Sequence, residues 1–586
     1  MPGLLATIDA ALSPAFAELR PGAASGLRPS QRADFQVNGV LALARSLGRP
    51  PHDVAEEILR RANGRGLGEM VERAEVAGPG FINLTLSAEF LARQLRDLVA
   101  DTGRLGVPEP AEAIKVIVDY GAPNAAKQMH VGHLRSTIIG DSIVRLLELA
   151  GHQVRRENHI GDWGAPFGML IEHLVDLGEA EAAHELAVGD LESFYQAARA
   201  AYDRDPVFAG RSRRRVVLLQ SGDPETLRLW QMLVQRSIAY FDEAFRRLGA
   251  KLDRDDVVGE SFYNPLLPEV VAELARLGLL VESDGALCVF PPGHTNREGA
   301  PLPLIVQNSV GGYTYAATDL AAIRDRTGRL GARSLIYVVG LPQAEHFQMV
   351  FATARLAGWL PEGTVAVHVG FGNVLGPDGK MFRTRQGGTI RLTDLLDEAI
   401  VRAKAVVLSR SGPEDQPAPE ELESIARAIG VGSVKYADLS TDRTRDYRFD
   451  WDRMLSLDGN TAPYIQYAHA RICSIFRRAA ETSVSADVAD PELVRPPAAP
   501  EERELVKRAL GFPDAVAAAL ETYSPHRLCG YLFDLAGAFT GFYERCPVLH
   551  APSPETRSSR LALSSLVARL LRQGLGLLGI EAPERM

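Results

Sequence analysis

Apolar residues change their period several times along this chain, and the changes mark out its organisation. From Met1 to about Ala113, "DVAEEILRRA" and "AEFLARQLRDLVA" carry helical spacing, while "GFINLTLS" alternates like a strand after the turn signal "AGPG". A small α+β domain over 1–110 is predicted, closed by the Pro-containing "GVPEPAEA". A second region opens with "IKVIVDY", a β-branched run suited to a strand buried on both faces of a parallel sheet. The helix-like "HLRSTIIGDSIVRLLELAG" follows, apolar at Leu134, Ile138, Ile139, Ile143, Leu146 and Leu147 and stopped at Gly151. "SLIYVVG" and "VAVHVGFGNVL" read as further strands, separated by the helix-like "EHFQMVFATARLAG".

Strands alternating with helices predict a Rossmann-like, doubly wound α/β core over 111–395. The long, largely helical stretch at about 171–307 reads as an insertion between its two halves, and 396–455 as a connecting helical region. Over 456–586 strand signals nearly vanish, which predicts an all-α C-terminal bundle interrupted by the polar loop "ADVADPELVRPPAAPEER".

Composition narrows the class without naming a function. Of 586 residues 46% are apolar and 24% charged, which fits a globular chain of several domains and not a disordered one. The formal net charge of -10 advertises no nucleic-acid partner, so any such surface has to be a local basic patch. Cys288, Cys473, Cys529 and Cys546 are dispersed and form no CxxC pair, so reduced thiols are expected, with neither a zinc cluster nor a disulfide framework. No basic n-region leads into a sustained apolar run, and no membrane-spanning stretch is visible, so a soluble cytoplasmic protein is expected.

The densest chemistry lies in "APNAAKQMHVGHLRST", between the first strand and helix of the core. The first turn of such a helix offers unpaired N–H groups and the positive end of a macrodipole, so anions bind there. His130 and His133, three apart, project from one side of that turn and can donate to phosphate oxygens. Gly132 would let an adenosine approach the backbone, and Lys127 adds a positive charge. Two other readings stay open for the histidines: a partial metal site lacking a nearby third ligand, or a pair of helix-capping residues. Neither GxxxxGK[ST] nor GxGxxG appears here to offer a different phosphate site.

This segment resembles the HIGH signature of class I aminoacyl-tRNA synthetases, with Pro123, Asn124, Lys127, His130, Val131, Gly132 and His133 matching, and in its extended form it resembles the arginyl-tRNA synthetase family. The resemblance continues through "NHIGDWG", "GDPETLRLW", "GESFYNP", "YTYAATDLAA", "QAEHFQMVF", "HVGFGNVLGPDGKMFRTRQGG" and "DWDRMLSLDGNTAPYIQYAHARICSI" to "LLGIEAPERM". It implies that L-arginine is joined to ATP as arginyl-adenylate, releasing pyrophosphate, and then passed to tRNA, with Mg²⁺ carried on the ATP phosphates and no protein-held metal. A monomer is expected.

The resemblance also implies site residues. His130 and His133 would meet the α-phosphate. The KMSKS counterpart is the degenerate "GKMFRTRQGG", with Lys380, Arg383 and Arg385 as its cations and Lys127 compensating for the missing lysine. Asp119, Asn124, Tyr315, Asp319 and Gln343 would form the arginine pocket, with Asp319 the guanidinium partner. Phe81 and Asn83 would approach the tRNA from the N-terminal domain, and Tyr464, Tyr467 and Arg471, with His469 in the same run, from the C-terminal bundle. Taken singly, these aromatic residues also suit a buried core, and "RSRRR" at Arg211–Arg215 suits a solvated helix face. The family's "GDWGTQFG" becomes "GDWGAPFG", with Pro166 in place of glutamine, and the segment before Tyr315 reads "QNSVGG" in place of the usual lysine and aspartate.

Competing readings are a non-catalytic tRNA-binding paralogue, which the retained His130, His133 and Lys127 argue against, and a small-molecule nucleotidyltransferase, which needs no helical C-terminal domain. The related cysteinyl enzyme would show zinc ligands that the four dispersed cysteines do not supply.

Overall fold

A computed structural model describes residues 3–178, 191–376, 378–380, 382, 390–410, 416–481 and 490–586. The chain forms two compact units. One combines Met1–Pro110, Val407–Gly432 and Leu455–Met586, and the other combines Ala111–Val406 and Ser433–Met454. The segment expected to connect core and bundle, 396–455, is thus shared between them.

In the first unit a four-stranded antiparallel sheet runs in the order Leu27–Pro29, Phe35–Val37, Phe81–Leu86, Val71–Ala77. The alternation in "FINLTL" is a true strand period: Ile82, Leu84 and Leu86 are buried, and Phe81 and Asn83 lie on the opposite, half-exposed face. Asn83 Oδ1 accepts from Gln36 Nε2 at 2.9 Å, which fixes the carboxamide on that face. The same unit holds the C-terminal helices Ala462–Glu481, Pro500–Leu510, Phe512–Glu521, His526–Arg545 and Pro554–Leu577. Their apolar stripes (Ile465, Ile472, Leu505, Leu532, Phe539, Leu570) are sealed from water.

The second unit is built on a four-stranded parallel sheet in the spatial order Val365–His368, Ser334–Tyr337, Lys115–Asp119, Gln153–Glu157. Lys115–Asp119 is the first of these strands in sequence, and its two neighbours lie on opposite sides of it. The chain order therefore reverses between it and Ser334–Tyr337, and open α/β sheets place ligands outside the carboxyl ends at such a switch point. Asp119 and Tyr337 are register partners there. One cluster of Ile117, Leu335, Ala317, Leu320, Ala321, Val350 and Ala354 packs the helices Tyr315–Gly328 and Ala344–Leu356 onto the sheet.

The stretch expected to be a helical insertion is only partly so. Helices Leu191–Arg204, Pro206–Gln220 and Pro224–Leu248 occupy its first part, but Val281–Ser283, Ala286–Val289 and Leu304–Gln307 form a three-stranded antiparallel sheet. Strands of three and four residues are too short to show a period, although the hairpin turn has a readable cause. Asp284 and Gly285 both take positive φ, the backbone that an Asp-Gly pair supplies at least cost. "RSRRR" departs from a solvated face as well: Arg215 Nε bonds buried Glu172 at 2.7 Å, Arg211 pairs with Asp176, and Arg213 and Arg214 are the exposed members.

Candidate active site

Strand Lys115–Asp119 leads through Gly121, Ala122 and Ala126, all at positive φ, into helix Val131–Leu149. Alanine in that region costs about 1 kcal/mol, so the surroundings must hold the turn. Asn158 Oδ1 accepts from Ala122 N–H at 3.0 Å, and Ser237 Oγ accepts from Ala126 N–H at 2.8 Å. Ser136 Oγ accepts from Gly121 N–H at 2.9 Å and donates to the Val338 carbonyl at 2.7 Å, tying the helix to both strands of the switch point. Arg135 is buried in an ion pair with Asp438 at 3.0 Å, and Gly140 leaves the space that Tyr120 fills. The residues after the second histidine are thus scaffolding.

The histidines cap the helix, and this is compatible with the phosphate reading. His130 Nδ1 accepts from Gly132 N–H at 3.0 Å, and His133 Nδ1 accepts from His130 N–H at 3.1 Å, in a reciprocal capping box with ring centroids 4.1 Å apart. A nitrogen that accepts cannot carry the proton, so each neutral ring is the Nε2–H tautomer. Burial lowers the His130 pKa and pushes that of His133 down to about 3, so both rings are neutral donors near pH 7. Gly132 has a role other than the expected close approach of adenosine. A Cβ there would stand 2.7 Å from the His130 ring, so glycine is what lets that ring fold back as a cap.

Lys127 sits beside this turn with its Nζ 4.7 Å from the centroid of the Tyr195 ring, a partner from the insertion that spacing could not reveal. The basic segment is anchored at both ends. Gly376 N–H bonds the Lys380 carbonyl at 2.7 Å, and Phe382 stacks on Phe449 at 4.5 Å. Beyond it, Val131 N–H bonds the Ile390 carbonyl at 3.1 Å and Leu392 N–H bonds the Met129 carbonyl at 3.0 Å. The segment therefore leaves from the turn at Lys380, whose side chain is exposed, and returns to pair with the HIGH-like turn itself. Arg383 and Arg385 fall outside the described residues.

The five residues expected around the amino acid divide. Tyr315 and Asp319 lie one turn apart in helix Tyr315–Gly328, as their spacing predicted, and both meet His346. Gln343 is exposed and ends a short 3-10 turn just before helix Ala344–Leu356. Asn124 is exposed and bridges to Gly161, where any Cβ would stand 2.2 Å from Asn124 Oδ1; the glycine of "NHIGDWG" makes room for that carboxamide. Asp119, by contrast, is buried against Arg326, with Oδ2 2.7 Å from Nη2, and Arg326 Nε also holds Glu157 at 2.7 Å. That guanidinium is sealed from water over the Tyr337 ring, so Asp119 braces the strand end.

Sequence reasoning missed Glu260. It lines a cavity of about 420 Å³ together with Trp163, Asn264, Gly312, Tyr313 and Tyr315. Burial, then the charges of Asp162 and Asp319, push its pKa up to about 7. Asp162, whose own pKa is raised by burial, accepts from Ser261 N–H at 2.9 Å and Ser261 Oγ at 2.6 Å. Glu260 thus feels two other carboxylates, a setting that favours binding of a cation. "GESFYNP" and "NHIGDWG" contain Glu260 and Asp162, but only the fold brings them near Asp319. Pro166 fits the helix that it helps to open. It occupies the second position of helix Ala165–Leu177, where the missing N–H is one the helix could not bond anyway.

In the other unit, a cavity of about 820 Å³ is lined by Tyr467, Arg471, Ser474, Arg477, Tyr543 and the terminal Met586, among others. The Arg471 guanidinium lies 4.8 Å from the Tyr467 ring and 5.4 Å from that of Tyr543. Tyr464 packs instead against Phe533 at 5.5 Å, and His469 is buried and bonded to the Pro583 carbonyl at 2.9 Å. Of the expected aromatic set, Tyr467 thus joins Arg471 in the cavity, and Tyr543 was missed. No helix among the described residues is long and apolar enough to cross a membrane.

Comparison with known proteins covers nearly the whole chain. Residues 94–451 match the family of tRNA synthetases class I (R), catalytic domain; residues 465–586 match the DALR anticodon binding domain; residues 4–86 match the arginyl tRNA synthetase N-terminal domain. The arginine–tRNA ligase of Thermobifida fusca is 52% identical over 99% of this chain and 97% of its own, and an Escherichia coli counterpart is 48% identical over 95% and 94%. The solved arginyl-tRNA synthetase of Plasmodium falciparum superposes with a TM-score of 0.85 at 30% identity, and that of Thermus thermophilus with 0.82 at 28%, each covering 100% of both chains. Matching family domains from end to end, together with 52% identity over nearly all of its length, establish that the chain belongs to the arginyl-tRNA synthetase family of class I enzymes.

Proposed function

We propose that the carboxyl end of strand Lys115–Asp119 is where this chain activates arginine, and that its cavity around Tyr467 and Arg471 receives tRNA bases. The chain is an arginine–tRNA ligase. It joins L-arginine to ATP, releases pyrophosphate, and passes the arginyl group to its cognate tRNA, releasing AMP. The observation that carries the site assignment is the pair of capped, neutral histidines at the switch point, in the same unit as a cavity edged by Glu260 and Tyr315.

In the first step the arginine carboxylate oxygen attacks the α-phosphorus and the bond to pyrophosphate breaks. Negative charge builds on the non-bridging oxygens of the α-phosphate, where donors fixed in advance stabilise it most. The Nε2–H groups of His130 and His133 serve as those donors, their orientation held by the capping bonds at Nδ1. Because both are neutral they donate without needing to lose or gain a proton. Lys127, with Lys380, Arg383 and Arg385, meets the phosphates of the leaving pyrophosphate, and Mg²⁺ arrives with ATP as part of the substrate. Asp319 and Glu260 accept the substrate guanidinium, Tyr315 covers it, and Asn124 and Gln343 orient the amino-acid end. Asp119 contributes by bracing, through Arg326.

Phe81 and Asn83 on the open face of the N-terminal sheet are proposed as a further tRNA contact, and Tyr467, Arg471 and Tyr543 as stacking platforms for unstacked bases. The chain is read as a cytoplasmic monomer because the sequence offers no export signal and no dedicated dimerisation segment; gel filtration tests the second half. The function itself is tested by arginine-dependent exchange of pyrophosphate into ATP, run with tRNA because family membership implies that tRNA is required. Exchange that is absent for arginine would overturn it.

A further inference from the structure

The Asp319 carboxylate is tied to a neighbour from another helix. Its Oδ2 is 2.6 Å from His346 Nε2, with the side chains 20% and 15% exposed. The carboxylate can only accept, so Nε2 carries the proton of this bond. The imidazole is itself held: its centroid is 4.8 Å from that of Tyr315 at an interplanar angle of 60°, and 5.5 Å from that of Phe347 at 70°. Phe347 in turn stacks on His368 at 5.1 Å, and His368 Nε2 is 2.9 Å from the Val339 carbonyl. A chain of contacts therefore runs from the end of strand Ser334–Tyr337 to one oxygen of Asp319.

We propose that His346 is a positioning residue that fixes the plane of the Asp319 carboxylate, and through it the preference of the pocket for a planar guanidinium over an ammonium. The inference rests on the reading of Asp319 as the guanidinium partner. The terminal torsion of an aspartate is a broad, nearly two-fold rotor, so an unanchored carboxylate samples many planes. Two parallel N–H···O bonds to a guanidinium need both oxygens in one plane with it, whereas an ammonium is a compact charge that bonds either oxygen in any plane. Pinning Oδ2 restricts that torsion and so fixes the plane in which Oδ1 and the second lone pair of Oδ2 lie. Arginine gains from that fixation, and lysine gains almost nothing.

The test compares His346→Ala and His346→Gln with the wild type in ATP–pyrophosphate exchange with tRNA present, using lysine as a competitive inhibitor of the arginine site. The expected result for His346→Ala is a KM for arginine raised about 10-fold, the scale of one hydrogen bond to a charged group. The KM for ATP and the kcat should stay within about twofold, with lysine inhibition unchanged, so that discrimination falls by the same factor. His346→Gln, whose amide N–H can reach Asp319, should recover most of it. An unchanged KM for arginine, a parallel rise in the KM for ATP, or equal weakening of arginine and lysine would each overturn the proposal. Asp319→Asn separates the two layers. If it leaves the KM for arginine unchanged, the reading of Asp319 itself fails; if it raises that KM while His346→Ala does not, only the positioning role fails.

Discussion

With Glu260 in the proposed arginine pocket, arginine recognition is predicted to be pH-dependent, in the direction set by the raised pKa of its carboxyl. Its carboxyl is pushed up to about 7 by burial and by the charges of Asp162 and Asp319. A guanidinium beside it favours the ionised form, so arginine binding expels a proton from any protonated Glu260. With a pKa of about 7 the ionised fraction falls from about nine-tenths at pH 8 to about one-tenth at pH 6. Arginine affinity that needs the carboxylate should then fall about 10-fold over that interval, while affinity for ATP, held elsewhere in the unit, should not follow it. The assay is the KM for arginine in ATP–pyrophosphate exchange from pH 6 to 8.5, with the KM for ATP measured in parallel, on wild type and Glu260→Gln. The variant should bind arginine more weakly at pH 8 and lose the step near pH 7. A flat wild-type profile, or an unchanged step in the variant, refutes the reasoning. Stability runs the opposite way: the fold raises this pKa above its ordinary 4.5, so the group favours the folded state at low pH and loses that contribution as pH rises through 4.5 to about 7. Glu260→Gln should therefore melt at a higher temperature than wild type at pH 8.

Substitutions at three further positions probe other parts of the structure. His133→Ala removes a neutral donor from the α-phosphate and should lower adenylate formation about 100-fold while leaving tRNA binding by filter assay nearly intact; equal activity would count against the phosphate role. Arg326→Met leaves Asp119 and Glu157 buried without their shared partner and should cost about 3 kcal/mol in chemical denaturation, with Arg326→Lys failing to restore both bonds. Tyr467→Ala removes one side of the Arg471 sandwich and should raise the KM for tRNA about 10-fold with the KM for arginine unchanged, on the scale of one stacked base.

The alternation in "FINLTL", the β-branched run before Asp119 and the 3.6-residue spacing after His133 were legible because each is a local consequence of which face is buried. So was the juxtaposition of Tyr315 and Asp319, which needs only one helical turn. The small sheet at Val281–Gln307 was not, since its strands are shorter than the window over which a period can be read. Nor was the placement of Asp119: its partner Arg326 is 207 residues away, and spacing carries no information about which carboxylate an internal arginine will take. Glu260 and His346 were inside quoted motifs yet unassigned for the same reason. A residue's role in a carboxylate cluster depends on what the fold packs beside it. Gly132 was read as room for an adenosine, and only the structure showed that the His130 ring occupies that space; the room that Gly161 leaves for the Asn124 carboxamide carried no signal in the sequence.

The most direct measurement is ATP–pyrophosphate exchange by the purified chain with tRNA present, arginine and lysine being supplied in turn. Exchange that depends on arginine and is not supported by lysine is the predicted result; no exchange with arginine, or equal exchange with lysine, contradicts it.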